Sequence, residues 1–204
     1  MIHFKQFMRV LLMIVAFISL AISIVILSGG LIYRGYLSFV DLATPVGLTK
    51  SQLLINIDHM MDFLIFPQVH TLNFPNFSSS AAGIQHFVEV KYLMQANFVL
   101  TICGLIFLGW NYQSTNKLGV KKLQYQLSKL AVYFPLLLLF LMVIAFDQIF
   151  LLFHQVFFRN DLWLFDPLVD PIILVLPENL FLIYFVSVII LYELLLAIYR
   201  RIMK

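Results

Sequence analysis

Two histidines, each accompanied by a carboxylate at helical spacing, are the residues of this chain best suited to chemistry. Glu89 lies three positions after His86, and Asp147 lies seven positions before His154. On a helix, residues at these spacings share one face. The imidazole of histidine has a pKa of about 6.5 and exchanges protons near neutral pH. The two pairs therefore predict an acid/base site.

The chain around these pairs has the composition of an integral membrane protein. It is 62% hydrophobic and only 11% charged, whereas about a quarter of the residues of a soluble domain are charged. Four stretches reach the roughly 20 residues that a membrane-spanning helix needs, at positions 10–32, 92–112, 130–153 and 179–199. The sequence therefore predicts an all-α membrane protein with four transmembrane helices, forming a single domain over residues 1–204.

Basic residues predict the orientation of the four spans. Nine of the thirteen Lys and Arg residues flank the spans on one side, namely Lys5, Arg9, Lys117, Lys121, Lys122, Lys129, Arg200, Arg201 and Lys204. The positive-inside rule places that side, with both termini, in the cytoplasm. Residues 33–91 and 155–178 then form extracytoplasmic loops. Because His86 precedes the second span and His154 follows the third, both histidines are expected near the headgroups of the outer leaflet.

The outer loop 33–91 is long enough to be structured. Thr49 and Gln52 have the spacing of a capping box, and the apolar residues between Leu53 and Ile65 recur at helical intervals. This pattern predicts an amphipathic helix, with Asn56 among the polar residues on its other side. Two placements remain open: the helix lies on the outer leaflet, or it packs over the mouth of the helix bundle.

Three further features predict the surroundings of the site. The serines at positions 78–80 can cap the helix that carries His86. Pro135 is expected to kink the third span or to weaken its hydrogen bonding. An aromatic belt is expected at the outer membrane interface, formed by Phe157, Phe158, Trp163 and Phe165.

Several classes of site lack support in the sequence. The chain contains neither a P-loop nor a nucleophile elbow. Its single cysteine, Cys103, excludes an intrachain disulfide. No HExxH or CxxC spacing is present, so we expect no metal site. The basic residues are accounted for by membrane topology, so nucleic acid is not an expected partner.

The residues alone also allow a less specific interpretation. A histidine at a membrane interface is often only an amphipathic residue at the boundary between lipid and water, with no catalytic role. Asp147 is the stronger indication of function, because a carboxylate within an apolar run is costly and needs a partner. Composition and spacing therefore indicate a membrane protein with a polar, outward-facing site, without naming its reaction.

Two motifs built on these residues resemble a known family. One is His86-Phe-Val-Glu89-Val-Lys91; the other runs from Asp147 through Phe153-His154-Gln to Asn160-Asp161-Leu-Trp163. In order and spacing, over nearly the whole chain, they resemble the bacterial lipoprotein intramolecular transacylases. At the position of Glu89 that family has Asp at least as often, so the negative charge is kept while the reach differs.

The resemblance implies a reaction and its setting. The family moves the sn-2 acyl chain of a diacylglyceryl lipoprotein to the α-amino group of its N-terminal cysteine, which gives the lyso-form lipoprotein. The reaction takes place at the outer leaflet of the cell membrane in Gram-positive bacteria. It requires no cofactor, no ATP and no metal. The diacylglyceryl lipoprotein substrate and the lipid bilayer are the expected partners.

The resemblance also implies roles for the residues of the two motifs. His86 is expected to act as general base and later as proton donor. His154 is expected to be an oxyanion donor or a second acid/base, oriented in part by Asp147. The opposite assignment of the two histidines remains open. Substrate binding or support is expected from the other motif residues, namely Glu89, Lys91, Asn160 and Trp163.

Two other functions are compatible with the residues. A lipid-ester hydrolase would use the same base to activate water, and would release free fatty acid instead of forming an amide. A non-catalytic accessory subunit of a membrane complex would tolerate substitution of both histidines. Product analysis and histidine variants therefore distinguish the three.

Overall fold

The computed structural model describes residues 2–114 and 118–203, and this part of the chain is helical and contains no strand. Its α-helices are α1 Ile2–Leu27, α2 Gly29–Tyr36, α3 Lys50–Ile65, α4 Ala81–Ser114, α5 Leu118–Ser128, α6 Tyr133–Ile144, α7 Phe146–Phe157 and α8 Glu178–Met203. Short 3-10 turns occupy Thr44–Val46, Leu130–Val132 and Pro171–Val175. The predicted all-α class is confirmed.

Within residues 2–114 and 118–203, four helical segments are long and apolar enough to cross a membrane, as predicted. They are Phe4–Leu27, Ala81–Ser114, Lys121–Ile144 and Glu178–Ile202. The cytoplasmic placement of both termini stays a prediction, and two of the residues on which it rests, Lys117 and Lys204, lie outside the described residues.

The predicted and observed bounds differ most in the third span, which was expected to be one helix over residues 130–153. Helix α6 ends at Ile144, and Ala145 leaves the helical conformation with φ −147° and ψ 46°. Helix α7 then begins at Phe146, with Asp147 in its first turn. A carboxylate is favourable there, because the exposed N–H groups give a helix N-terminus a partial positive charge. The first predicted span, 10–32, is also divided, since α1 ends at Leu27 and α2 begins at Gly29.

The chain forms two compact units, each built from separate stretches of sequence. Unit 1 comprises Met1–Val25, Ala96–Ile144 and Phe185–Lys204, and unit 2 comprises Ile26–Gln95 and Ala145–Tyr184. The assignment of the whole chain to a single domain stays a prediction. All seven predicted site residues belong to unit 2.

Polar side chains join α1 to α4 within unit 1. The Asn97 amide donates to the Ser19 carbonyl at 3.1 Å and to the Ser23 hydroxyl at 2.8 Å. The Thr101 hydroxyl lies 2.6 Å from that of Ser19 and 2.8 Å from that of Ser23. Such contacts join helices in a membrane, because lipid tails offer polar groups no alternative partner.

The irregularity that Pro135 was expected to cause lies just before it. The 3-10 turn Leu130–Val132 separates α5 from α6, and Pro135 stands in the first turn of α6. Proline has no N–H and so cannot bond to the carbonyl four residues earlier, which is that of Ala131. The Tyr192 hydroxyl donates to this carbonyl at 3.1 Å, so the backbone group stays satisfied.

Helix α3 buries its apolar face in the core of unit 2. The predicted capping box is present: the Thr49 hydroxyl accepts from the Gln52 N–H, and the Gln52 side chain accepts from the Thr49 N–H. Leu53, Ile57 and Phe63 are buried. Of the two placements that the sequence left open, the structure supports a helix packed against protein.

The expected polar side of α3 is wrong at one position. Asn56 is fully buried rather than facing away from the core. Its amide nitrogen donates to the Asn76 side chain at 3.0 Å, and its amide oxygen accepts from the Asn76 N–H at 3.0 Å. These bonds hold the loop that leads from α3 to α4, so the polar residue has a structural partner inside the fold.

Candidate active site

The start of helix α4 is fixed by a serine and a buried aspartate. The Ser80 hydroxyl accepts from the Gly83 N–H at 2.9 Å, which confirms the predicted cap. The Asp170 carboxylate, only 5% exposed, accepts from both the N–H and the hydroxyl of Ser80 at 2.7 Å. Gly83 permits this approach, because a Cβ there would collide with an Asp170 carboxylate oxygen.

Residues 158–170, which we term the cover loop, follow one face of α4. Asp170 meets the helix at Ser80 and Gly83, and the Phe165 ring lies 5.6 Å from that of His86. One turn further, the Asn160 amide donates to Glu89 at 2.9 Å. The loop therefore runs antiparallel to the helix and contacts positions spaced by three residues.

The cover loop encloses His86 with aromatic rings. This histidine is only 8% exposed. The Phe158 and Phe165 rings meet the imidazole edge-to-face, with centroids at 4.8 and 5.6 Å. The His154 imidazole is the next ring, at 6.1 Å. Nδ1 of His86 is buried and has no hydrogen-bond partner among the described residues, so this atom is available to a bound molecule.

His154 is held in one tautomer by the backbone of its own helix. Its Nδ1–H donates to the Phe150 carbonyl at 2.7 Å, which leaves Nε2 as an acceptor in the neutral ring. The ring stacks on Trp163 with centroids 4.7 Å apart. Burial lowers the pKa of His154, and the bond to Phe150 opposes this shift only in part. The neutral form is therefore favoured near pH 7.

Glu89 is bound through one oxygen only. Its Oε1 accepts from Asn160, while Oε2 is buried without a partner among the described residues. The Asn160 carbonyl in turn accepts from the Trp163 indole N–H at 2.9 Å. Trp163 thus links the two motifs, because it stacks on His154 and orients the residue that holds Glu89.

Asp147 and Lys91, also predicted as site residues, have partners other than the histidines. The carboxyl group of Asp147 lies close to that of Glu178. Lys91 is buried and donates to the carbonyls of Phe66 and Val69. Neither forms a described hydrogen bond with His86 or His154. The expected orientation of His154 by Asp147 is supplied instead by the Phe150 carbonyl.

Sequence reasoning missed several residues of the site. Phe158 and Phe165 were expected in an aromatic belt at the outer membrane interface, but Phe158 is buried and both rings pack on His86. Asp170 and Gly83 were not predicted as site residues. In the part of the chain that the structure describes, no three His, Cys, Asp or Glu residues are grouped closely enough to hold a metal ion.

Comparison with known proteins gives a family and a fold. The family model described as lipoprotein intramolecular transacylase Lit matches residues 7–181. A solved structure of the membrane-integral lipoprotein intramolecular transacylase Lit from Bacillus cereus is similar, with a TM-score of 0.84 and 24% identity over 98% of this chain and 95% of that one. No curated protein matches the chain.

Two further similar structures are of variants of the same Bacillus cereus protein. One has a histidine replaced by alanine and matches with a TM-score of 0.73 and 25% identity, covering 98% of this chain and 91% of that one. The other has a histidine replaced by arginine, with a TM-score of 0.68, 24% identity, and coverage of 98% and 92%. The structural likenesses establish a shared fold over nearly the full chain.

The contact of Gly83 with Asp170 predicts a position-specific effect of alanine. We expect Gly83→Ala to destabilise the protein by about 1–3 kcal/mol, because the added methyl overpacks the Asp170 carboxylate. Gly109, in the same helix, has nothing within 4 Å of a Cβ, so Gly109→Ala is the matched control and should not destabilise. Thermal unfolding in detergent measures both. Equal unfolding midpoints for the two variants would contradict the contact.

The environment of His154 predicts its protonation behaviour. Because burial lowers its pKa, lowering the pH to about 6.5, where a free histidine is half-protonated, should leave most of His154 neutral. At pH 7 the proton should reside on Nδ1. Nitrogen NMR of histidine-labelled protein, compared with the unfolded chain, measures both properties. An Nε2–H tautomer, or half-protonation above pH 6.5, would be the opposite result.

Proposed function

The chain belongs to the lipoprotein intramolecular transacylase (Lit) family, and we propose that it moves the sn-2 acyl chain of a diacylglyceryl lipoprotein to the α-amino group of the N-terminal cysteine. The product is a lyso-form lipoprotein, N-acylated and with one glyceryl ester remaining. One observation carries the proposal: two imidazoles with centroids 6.1 Å apart lie beneath an aromatic cover.

The chemistry of ester aminolysis matches these groups. An α-amino group has a pKa of about 7.7–8.0 and is mostly protonated at pH 7, yet only the neutral amine attacks an ester. A histidine is suited to accept the amine proton near this pH. The substrate carries amine and ester in one molecule, so holding the two together supplies much of the rate. No cofactor is required.

His86 is the general base in this proposal. The amine nitrogen attacks the sn-2 ester carbonyl, and the proton that it loses passes to His86. The tetrahedral intermediate collapses with cleavage of the ester C–O bond, and the proton moves to the departing glyceryl oxygen. An amide bond forms, an ester bond breaks, and no water is consumed. The unpartnered Nδ1 of His86 supports this role.

His154 is the second acid/base group. Its Nδ1–H is committed to Phe150, so Nε2 is the reactive atom. A neutral ring accepts at Nε2 and donates from it only after gaining a proton. His154 is therefore better suited to general acid/base catalysis than to the alternative role of a fixed hydrogen-bond donor to the oxyanion. Asn160 positions the substrate, and Trp163 positions the imidazole ring of His154. Asp147 and Lys91 support the site without hydrogen bonds to either histidine.

The aromatic cover favours aminolysis over hydrolysis. Water competes with the amine for the same ester, and a base that activates an amine also activates water. Rings on several sides of His86 leave it nearly inaccessible to solvent, and exclusion of water suppresses the side reaction. A lipid-ester hydrolase would instead need an open path for water to the base.

The proposal includes a location. The site residues stand near the ends of apolar helices, and the distribution of basic residues favours an extracytoplasmic site. We therefore assign the reaction to the outer leaflet of a bacterial cell membrane, where the lipid anchor of a lipoprotein lies. The acyl chains then stay in the bilayer while the amine and ester reach the histidines.

Replacing His86 tests the proposal directly. The chain is expressed in a host that makes diacylglyceryl lipoproteins and lacks other N-acylating enzymes, and the N-terminal lipopeptide of a reporter is fragmented by mass spectrometry. Wild type should give an amide-linked acyl chain and one remaining glyceryl ester. His86→Ala should lower the yield by at least about 100-fold, the typical contribution of general acid/base catalysis.

The exposed His70 provides the matched control, and His70→Ala should leave the product unchanged. Membrane levels of each variant are compared by immunoblot to exclude loss of protein. Unmodified lipopeptide with wild type would contradict the transacylase function, and free fatty acid in its place would indicate a lipid-ester hydrolase. Full activity of folded His86→Ala would contradict the assigned base.

A further inference from the structure

Two buried atoms on one face of α4 have no hydrogen-bond partner in the part of the chain that the structure describes. They are Nδ1 of His86 and Oε2 of Glu89, and their residues are one helical turn apart. Buried polar groups are nearly always hydrogen-bonded, because an unsatisfied one costs about 1–3 kcal/mol. With the proton of the neutral imidazole on Nε2, both atoms are acceptors, the first through the Nδ1 lone pair and the second as a carboxylate oxygen. The missing partner is therefore a donor.

Glu89 also lacks a cationic partner within the described residues. Its one described contact is with the neutral Asn160 amide. The nearest lysine along the helix, Lys91, donates to the carbonyls of Phe66 and Val69 and lies over the Phe63 ring. A partly buried carboxylate is stable only when it is paired or well hydrogen-bonded. The missing donor at Glu89 therefore carries positive charge.

We propose that Glu89 binds the protonated α-amino group of the substrate's N-terminal cysteine and delivers it to His86. An ammonium group has three N–H donors, enough to satisfy Glu89 Oε2 and His86 Nδ1 together. The inference rests on the proposed function, because that function supplies an α-amine at this site. It makes Glu89 the residue that selects a free amine over an uncharged N-terminus.

The ammonium reaches these atoms at the Asn160 end of the cover loop. The Asp170 end is buried and bonded twice to Ser80, whereas the Asn160–Glu89 bond is exposed. Exposed hydrogen bonds open more readily than buried ones. Opening this bond uncovers Oε2 while the Asp170 end stays attached, so the loop need not leave the site as a whole.

The proton balance then has two parts. The bound ammonium gives one proton to the neutral His86 imidazole and becomes the attacking amine. As the amide forms, Nε2 of His154 accepts a second proton from the attacking nitrogen, and His86 passes its proton to the departing glyceryl oxygen. One proton is therefore released overall, in agreement with the conversion of an ammonium and an ester into an amide and an alcohol.

The test uses a pair of unreactive ligands and the full-length protein in nanodiscs. Both ligands are glyceryl-cysteinyl peptides whose ester links are replaced by ethers; one keeps the α-amine, and the other carries a hydroxyl in its place. The ratio of their dissociation constants measures the preference for charge. Wild type should bind the amine roughly 10- to 100-fold more tightly, as for a hydrogen bond to a charged group.

The variants assign this preference to one residue. Glu89→Gln should bring the ratio close to one, and Glu89→Asp should retain a preference for the amine, which shows rescue by a shorter carboxylate. Asp161→Asn removes an equal charge from the exposed neighbour of Asn160 and should keep the wild-type ratio. If Glu89→Gln does not fold, the ratio of dissociation constants in wild type and in Glu89→Asp still tests whether the site prefers the charged amine.

Two outcomes would overturn the inference: a wild-type ratio near one, or an unchanged ratio in folded Glu89→Gln. Neither depends on turnover, because the ether ligands do not react. Transacylation of the natural diester by wild type is measured separately on the same preparation. Amide formation with a ratio near one would leave the proposed function standing and remove only the role of Glu89.

Discussion

A single buried carboxylate determines where the reactive groups of this protein lie. Asp170 accepts two hydrogen bonds from Ser80 at the start of α4, and Gly83 leaves room for it. This attachment sets the register of the cover loop against the helix. Once the register is set, Phe165 falls over His86 and Asn160 falls at Glu89. The site therefore depends on an interaction that lies about two helical turns away from the proposed general base, His86.

The fold and part of the site were predictable from the sequence, for physical reasons. Long uncharged stretches identify spans because the bilayer core tolerates little else, and His86 and Glu89 were paired because neighbours on a helix share a face. The contacts of Asn160 with Glu89 and of Asp170 with Ser80 join residues that are far apart in the sequence. Local residue spacing therefore could not predict them. The break at Ala145 was equally hidden, since neither glycine nor proline marks it.

Two polar groups with a structural role are satisfied inside the fold, whereas two atoms of the candidate site are not. Asn56 and the carbonyl of Ala131 are polar groups inside the fold with hydrogen-bond partners. Nδ1 of His86 and Oε2 of Glu89 are buried without partners among the described residues. Unsatisfied buried groups lower the stability of the folded protein. Enzymes retain such groups where a bound substrate supplies the missing hydrogen-bond partner. The same enclosure that leaves these atoms unpaired also keeps water from the ester.

A crystal structure with the unreactive ether lipopeptide would show where the amine binds. We expect the amine nitrogen within roughly 2.6–3.2 Å of His86 Nδ1, the reach of a general base, with the ether oxygen at sn-2 beneath the cover loop. An amine bound away from both histidines, with His86 still enclosed by Phe158 and Phe165, would show that His86 is not the base.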